Sequence, residues 1–332
     1  MKTIGFFNNK GGVGKTSLVY HVAWMLSLSG VKVVAADLDP QANLTSMFLD
    51  EDRLEEIWEN SAPSTLFDTV SPLYRGKGDI LSPVLEEIDD RIGLLTGDLR
   101  LSQIEDQLSD AWPRCSNGEE RSFRVMSMFS RTIATAGSAF GAGVALIDVG
   151  PNLGALNRAV ILGCDFVVTP LGADLFSLQG LRNMGPSLRR WRQDWQSSRE
   201  RNPDPELLLP SGEMTPAGYV VMRHSVTAGR PARAFSRWID RIPRAYHDDI
   251  LHRSAAEPID IGHDPHCLAV LKDYRSLMPL AQEARKPMFA LKPSDGAFGG
   301  HQRAVEDCWK DFHTLSRKIM DACGVEIPGL FG

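Results

Sequence analysis

The sequence is poor in cysteine, and what it has is scattered. Its 332 residues include five (Cys115, Cys164, Cys267, Cys308 and Cys323), none in a CxxC pair. An odd number without paired spacing is a poor disulfide framework and points to a reducing, cytoplasmic setting. Long apolar runs are missing too. No stretch approaches the roughly 20 apolar residues that span a bilayer, so no membrane span is expected. The opening MKTIGFFNNKGG has too short an apolar run for a secretory signal. Excess positive charge is also absent. With a formal net charge of -6, the chain as a whole is not built to cling to nucleic acid, and any such contact needs a local basic face. There is no internal repeat and no low-complexity tract.

What remains is enough apolar material, 43% of residues, to bury a sizeable core. Short Val/Ile-rich runs alternate with helix-sized segments. The expected strands are Ile4–Phe7, Val31–Ala36, Ile92–Thr96, Val144–Ile147, Phe166–Thr169 and Tyr219–Met222, with helices such as Ser17–Ser29 and Leu175–Trp195 between them. Strands apolar at successive positions suit a parallel sheet buried on both faces. The expectation is a doubly wound α/β fold, a mostly parallel sheet flanked by helices, over one domain spanning residues 1–332. Two stretches interrupt the rhythm and read as insertions: residues 50–90, acidic and rich in turn formers, and residues 196–216, with four prolines. Val305, Cys308, Trp309, Phe312, Leu315 and Ile319 have helical spacing and predict a terminal helix over about 303–322, docked on the core.

The segment GFFNNKGGVGKTS follows a strand and opens a helix, the context a phosphate loop requires. Gly11, Gly12 and Gly14 let the backbone turn so that successive N–H groups point at phosphates, and the helix N-terminus adds partial positive charge. Lys15 can reach the β- and γ-phosphates, and Thr16 offers a hydroxyl to Mg²⁺. Residues Lys10, Gly11, Gly12, Val13, Gly14, Lys15, Thr16 and Ser17 form the expected cradle for ATP.

Lys10 stands before the first glycine, where a simple phosphate loop needs no lysine. In this KGGVGKT resembles the deviant loop of the ParA/MinD family of P-loop ATPases. The resemblance implies that Lys10 crosses a dimer interface to phosphates held by the other subunit, acting with Lys15 as a catalytic cation much as an arginine finger does. The likeness extends further. VVAADLDPQANLT is similar to the family's switch I, with Asp37 and Asp39 at a strand end; it implies that Asp39 aligns the attacking water and touches the Mg²⁺ shell. VALIDVGPNLGALNRAV is similar to the Walker B strand and switch II, implying that Asp148 holds Mg²⁺ through water. Gly150, Pro151 and Asn157 match the switch II pattern, except that Gly150 replaces a proline. The metal set implied is therefore Thr16, Asp39 and Asp148.

Members of this family form ATP-bound homodimers, and several bind double-stranded DNA without sequence preference. The resemblance thus implies a nucleoid-associated protein and a ParB-like or other stimulating partner. Two basic clusters could serve DNA. One holds Arg182, Arg189, Arg190, Arg192, Arg199 and Arg201; the other Arg223, Arg230, Arg233, Arg237, Arg241 and Arg244. Arg182, Arg189 and Arg192 share helical spacing, as do Arg230, Arg233, Arg237, Arg241 and Arg244, and such a stripe neutralises several phosphates at once. Arg189, Arg190, Arg230, Arg233 and Arg237 are the candidates. Two rivals share the fold: a membrane-surface ATPase like MinD, against which the arginine stripes and the non-amphipathic end GVEIPGLFG argue, and a ligase or amidotransferase like the dethiobiotin and cobyrinate synthases, for which no glutaminase Cys/His pair is evident. HDPHC (His263 to Cys267) reads as a polar loop rather than a metal site. The histidines of HDDILH, five apart, do not share a helix face and read as surface.

Overall fold

The computed structural model describes residues 1–59, 62–222, 237–253, 258–274 and 276–328. Eight strands form one sheet in the order β3-β4-β2-β5-β1-β6-β7-β8. They are β1 (Lys2–Phe6), β2 (Val33–Leu38), β3 (Glu86–Asp89), β4 (Ile92–Leu95), β5 (Val144–Val149), β6 (Phe166–Gly172), β7 (Thr215–Met222) and β8 (Cys267–Leu271). Every pairing is parallel except the edge pair β3–β4. Helices cover both faces, so the doubly wound α/β architecture read from the sequence is the one that forms.

The physical basis is visible in β2 and β5, each buried at all six positions. Alternate residues serve opposite faces. Val34, Ala36, Ala145 and Ile147 join Phe123, Met126 and Phe129 in one core. Val33, Ala35, Val144 and Leu146 join Leu18, Val22 and Leu26 in the other. The first core lies under α5 (Glu105–Cys115), α6 (Glu120–Phe140), α7 (Ala155–Leu162) and α8 (Leu175–Arg199); the second lies under α1 (Lys15–Leu28) and the terminal helix Gly300–Cys323. In that last helix Cys308, Phe312, Leu315 and Ile319 are buried.

Four readings need correction. Strand β2 begins at Val33, not Val31, because the Val31 N–H turns back to Leu26 O (3.0 Å) and closes the end of α1 behind Gly30, whose φ is 85°. Residues 50–90 are not mainly turns: they hold α2's successor α3 (Glu51–Glu59), then α4 (Leu66–Tyr74) and β3, with α2 (Asn43–Phe48) just before them. A Thr65/Asp68 capping box starts α4 and carries it past Pro72. Strand β3 reads EEID, acidic because it is a half-exposed edge, and edge strands take charge that a central strand cannot. Strand β8 escaped notice beside the His/Cys loop. That loop is built around Asp264, which is buried and accepts from Tyr219 Oη (2.8 Å) and His266 N (3.0 Å) and pairs with His247 Nε2 (3.1 Å). His247, in the π-helical segment Tyr246–Leu251, is thus largely buried against Asp264 rather than on the surface.

Residues 200–214 run beside α8, tied to it by donors on its last turns. Trp195 Nε1 reaches Pro210 O (2.9 Å), Gln196 Nε2 reaches Ser211 O (2.6 Å), and Arg199 reaches the same carbonyl (3.1 Å).

Candidate nucleotide site

The site lies at the C-terminal ends of the central strands, where ligands of open α/β sheets bind. The loop leaving β1 passes between β5 and β6 and enters α1. Gly12 and Gly14 take φ of 71° and 82°, a backbone conformation that L side chains rarely adopt. Gly14 is the N-cap of α1, whose first turn carries no acid to compete with an anion. Val13 is buried and anchors the loop, while Gly11 and Gly12 stay exposed. Asn8 braces the loop's front: its Nδ2 donates to Pro170 O (2.6 Å) and its Oδ1 accepts from Lys10 N (2.9 Å).

Lys15 is buried, its ammonium 3.4 Å from Lys10 O. Burial lowers its pKa, and the nearby Asp148 and Asp39 charges oppose that shift. The register of β2 on β5 sets Asp37 directly beside Asp148. Asp37 Oδ2 is occupied by Thr45 N and Oγ1, both at 2.7 Å. Asp39 Oδ1 accepts from Gln41 N (3.0 Å). Asp148 is different: it is fully buried, and the polar group that eases its burial is the Thr16 hydroxyl beside it. Burial and then the Asp37 charge push its carboxyl well up, and burial raises Asp37 as well. A single hydroxyl does not offset the cost of burying a carboxylate, which is normally paired with a cation. With the Thr16 hydroxyl and Asp39 alongside, the donors are all oxygen, the set Mg²⁺ prefers. The residues present fit that ion.

Switch II, residues 150–157, packs against both loops. A Cβ built on Gly11 would lie 3.7 Å from Pro151, and one built on Gly150 would lie 3.5 Å from Asp39 Oδ1. Asn157 Nδ2 donates to Gly150 O (2.7 Å) and Asn152 O (2.8 Å), which holds the turn despite the glycine in place of a proline.

Lys10 lies within its own subunit's grasp. Its ammonium is paired with Asp174, the N-cap of α8, and lies 6.0 Å from the exposed Phe176 ring. Although burial raises the Asp174 pKa, the Lys10 hydrogen bond and the Ser177 N–H bring it below the usual carboxylate range. Sequence reading missed Asp174; a capping residue on a helix 164 positions away carries no local signal. It also missed His21. Burial lowers the His21 pKa to about 4, so the ring is neutral. Its Nδ1 donates to Ser17 O (2.6 Å) and Nε2 accepts from Met288 N (3.1 Å), joining α1 to the segment before the last helix.

The arginine candidates separate. Arg189 and Arg190 are exposed on α8, Arg189 in contact with His252 at 3.0 Å. Arg192, placed by its spacing on the same stripe, is half-buried and donates to Met214 O (3.0 Å); Arg199 and Arg201 are likewise committed to backbone carbonyls. Arg237 is exposed above Trp238 (5.3 Å). Arg230 and Arg233 lie outside the described residues.

Glycine-rich loop, buried lysine and strand-end carboxylates together define a phosphate-loop nucleotide-binding protein. The comparisons with known proteins agree. The AAA domain family model (AAA_31) matches residues 1–199. Protein IncC of Escherichia coli is 30% identical over 195 residues, 58% of this chain and 47% of its own length. The chromosome partitioning protein ParA of Caulobacter vibrioides is 24% identical over 192 residues, 58% of this chain and 64% of its own. The matches therefore span about half to two-thirds of these relatives. The crystal structure of protein DIP2308 from Corynebacterium diphtheriae superposes with a TM-score of 0.70 at 25% identity, covering 97% of this chain and 99% of that one. The chain belongs to the ParA/MinD family of P-loop ATPases.

Proposed function

We propose that the chain is a ParA-like ATPase that dimerises around two ATP molecules, binds DNA without sequence preference, and uses hydrolysis to partition or position a plasmid, a chromosome or a protein cargo. The observation that carries this reading is the buried Asp148 carboxyl beside the Thr16 hydroxyl and within the field of the buried Lys15, with a second lysine, Lys10, at the front of the same loop. In this reading the amides of residues 11–16 hold the phosphates and Lys15 neutralises the β- and γ-oxygens. Thr16, with Asp39 and Asp148, holds Mg²⁺, which would offset charge on the transferred phosphoryl group. Asp39 orients the attacking water. Lys10 leaves Asp174 and reaches the partner subunit's nucleotide. The printed name of one relative, a chromosome partitioning protein, supports the partition role. The exposed Arg189, Arg190 and Arg237 are the proposed DNA contacts, with Arg230 and Arg233 beside them in sequence. A ParB-like or other partner would stimulate turnover in the cytoplasm, on the nucleoid. No helix among the described residues is long and apolar enough to cross a membrane.

The test is ATP turnover with and without nonspecific double-stranded DNA, with sizing in ATP and in ADP. Dimers in ATP alone and turnover abolished by Lys15→Ala are expected. Turnover that survives Lys15→Ala would remove the reading.

A further inference from the structure

We infer that Glu105 is the positioning residue of switch II: from a separate helix, it caps α7 and so holds the loop that runs from Asp148. The first two free N–H groups of α7 have no local acceptor, because its N-cap is Gly154, which has no side chain, and no acid lies in its first turn. Glu105, in the first turn of α5 and 50 residues earlier, fills both places. Its Oε1 accepts from Ala155 N (2.5 Å) and its Oε2 from Leu156 N (2.8 Å). A carboxylate at a helix N-terminus also meets the positive end of the helix dipole. The fit leaves no room for a conventional cap. A Cβ at Gly154 would stand 2.5 Å from Glu105 Oε1 and 2.8 Å from Asn152 Oδ1.

The clamp bears on the nucleotide site through short links. From the capped turn, Asn157 holds Gly150 O and Asn152 O, and the Gly154 N–H donates to Asn152 Oδ1 (2.8 Å). Pro151 and Gly150 then lie against the phosphate loop and Asp39. Fraying of the α7 end would loosen the Asn157 hydrogen bonds that hold Gly150 and Asn152. Arg158, one turn on in α7, is half-buried, lies 4.4 Å over the Trp112 ring of α5, and carries a charge that attracts the Glu105 carboxylate.

The catalytic half of the inference rests on the ATPase reading; the capping half does not. The experiment compares the parent with Glu105→Ala, Glu105→Gln, Gly154→Ser and the double variant Glu105→Ala/Gly154→Ser in the full chain. Amide hydrogen exchange at residues 155 and 156 and the kcat and KM for Mg·ATP are read. Glu105→Ala should speed exchange there and lower kcat, each on the order of 10-fold, the usual weight of one lost cap, with KM within about threefold. Glu105→Gln, which keeps the volume but not the charge, should fall between. Gly154→Ser alone should resemble Glu105→Ala, since its side chain displaces the carboxylate. In the double variant the carboxylate is gone, and the Asn152 side chain, the remaining contact at 2.8 Å, has to rotate to admit the serine, whose Oγ can then cap the helix: φ of -73° and ψ of 178° at residue 154 already suit that role. Rescue of both exchange and kcat supports the clamp. Unchanged exchange and kcat in Glu105→Ala overturns it. If the parent turns over no ATP, the ATPase reading fails on its own, and the exchange pattern still decides whether Glu105 caps α7.

Discussion

Replacing Asp174 by Asn should tighten ATP-dependent dimerisation. In the single chain Lys10 is paired with Asp174, and a lysine cannot both stay there and reach a second subunit's phosphates. The two side chains are 27% and 33% exposed, so solvent screens much of their attraction. A net worth of about 1 kcal/mol is appropriate for such a pair, at the upper end of surface ion pairs. A symmetric dimer releases two lysines, so the pairs together oppose assembly by about 2 kcal/mol, about 30-fold in the dimer dissociation constant. Asn keeps the local structure, because it caps helices about as well as Asp and can still accept from Ser177 N, now 2.9 Å from Asp174. The assay is sedimentation equilibrium with a non-hydrolysable ATP analogue, beside a thermal melt of the free chain. An unchanged melt with an analogue-bound dimer that is no tighter, or is weaker, refutes the idea that Asp174 competes for Lys10.

Three further outcomes are expected. Lys10→Ala and Asp39→Ala should each be nearly inactive, yet their mixture should recover about a quarter of parental turnover, since half of randomly formed dimers carry one intact site of two; no recovery places both residues on the same subunit's nucleotide. Asp148 is pushed up to about 8 in the fold, so between about pH 4 and 8 the folded chain holds a proton that the unfolded chain has released, and nucleotide-free stability falls as pH rises through that window. Asp148→Asn should flatten the slope, leaving only the share due to Asp37, and should melt several degrees above the parent at pH 8 while gaining nothing from Mg·ATP; melts from pH 5.5 to 8.5 with and without Mg·ATP check this, and an unaltered slope counts against the buried-charge argument. Arg189→Glu with Arg190→Glu should weaken DNA binding and flatten log K against log salt by about two units, with ATP affinity untouched; a normal salt slope moves the footprint elsewhere.

The sequence by itself determined the parts in which chemistry is written locally. The loop at residues 10–17 needs glycines, a lysine and a hydroxyl at fixed spacing, so it was readable without coordinates, whereas Asp39 and Asp148 were singled out only because their segments resemble the family's later motifs in the right order. The central strands were readable for a related reason: β2 and β5 are buried on both faces, and only an unbroken apolar run satisfies that. Tertiary structure decided what depends on partners distant along the chain. Edge strand β3 looks like a polar linker because solvent, not a neighbour, meets one side of it. Arg192 and Arg189 are alike on a helical projection, but the 200–214 segment offers Arg192 a carbonyl and leaves Arg189 exposed. Asp174 and Glu105 look like ordinary surface acids. One holds Lys10 and the other caps α7 because the fold sets a helix terminus beside each, and hydrogen bonds spanning 164 and 50 residues leave no periodicity to detect.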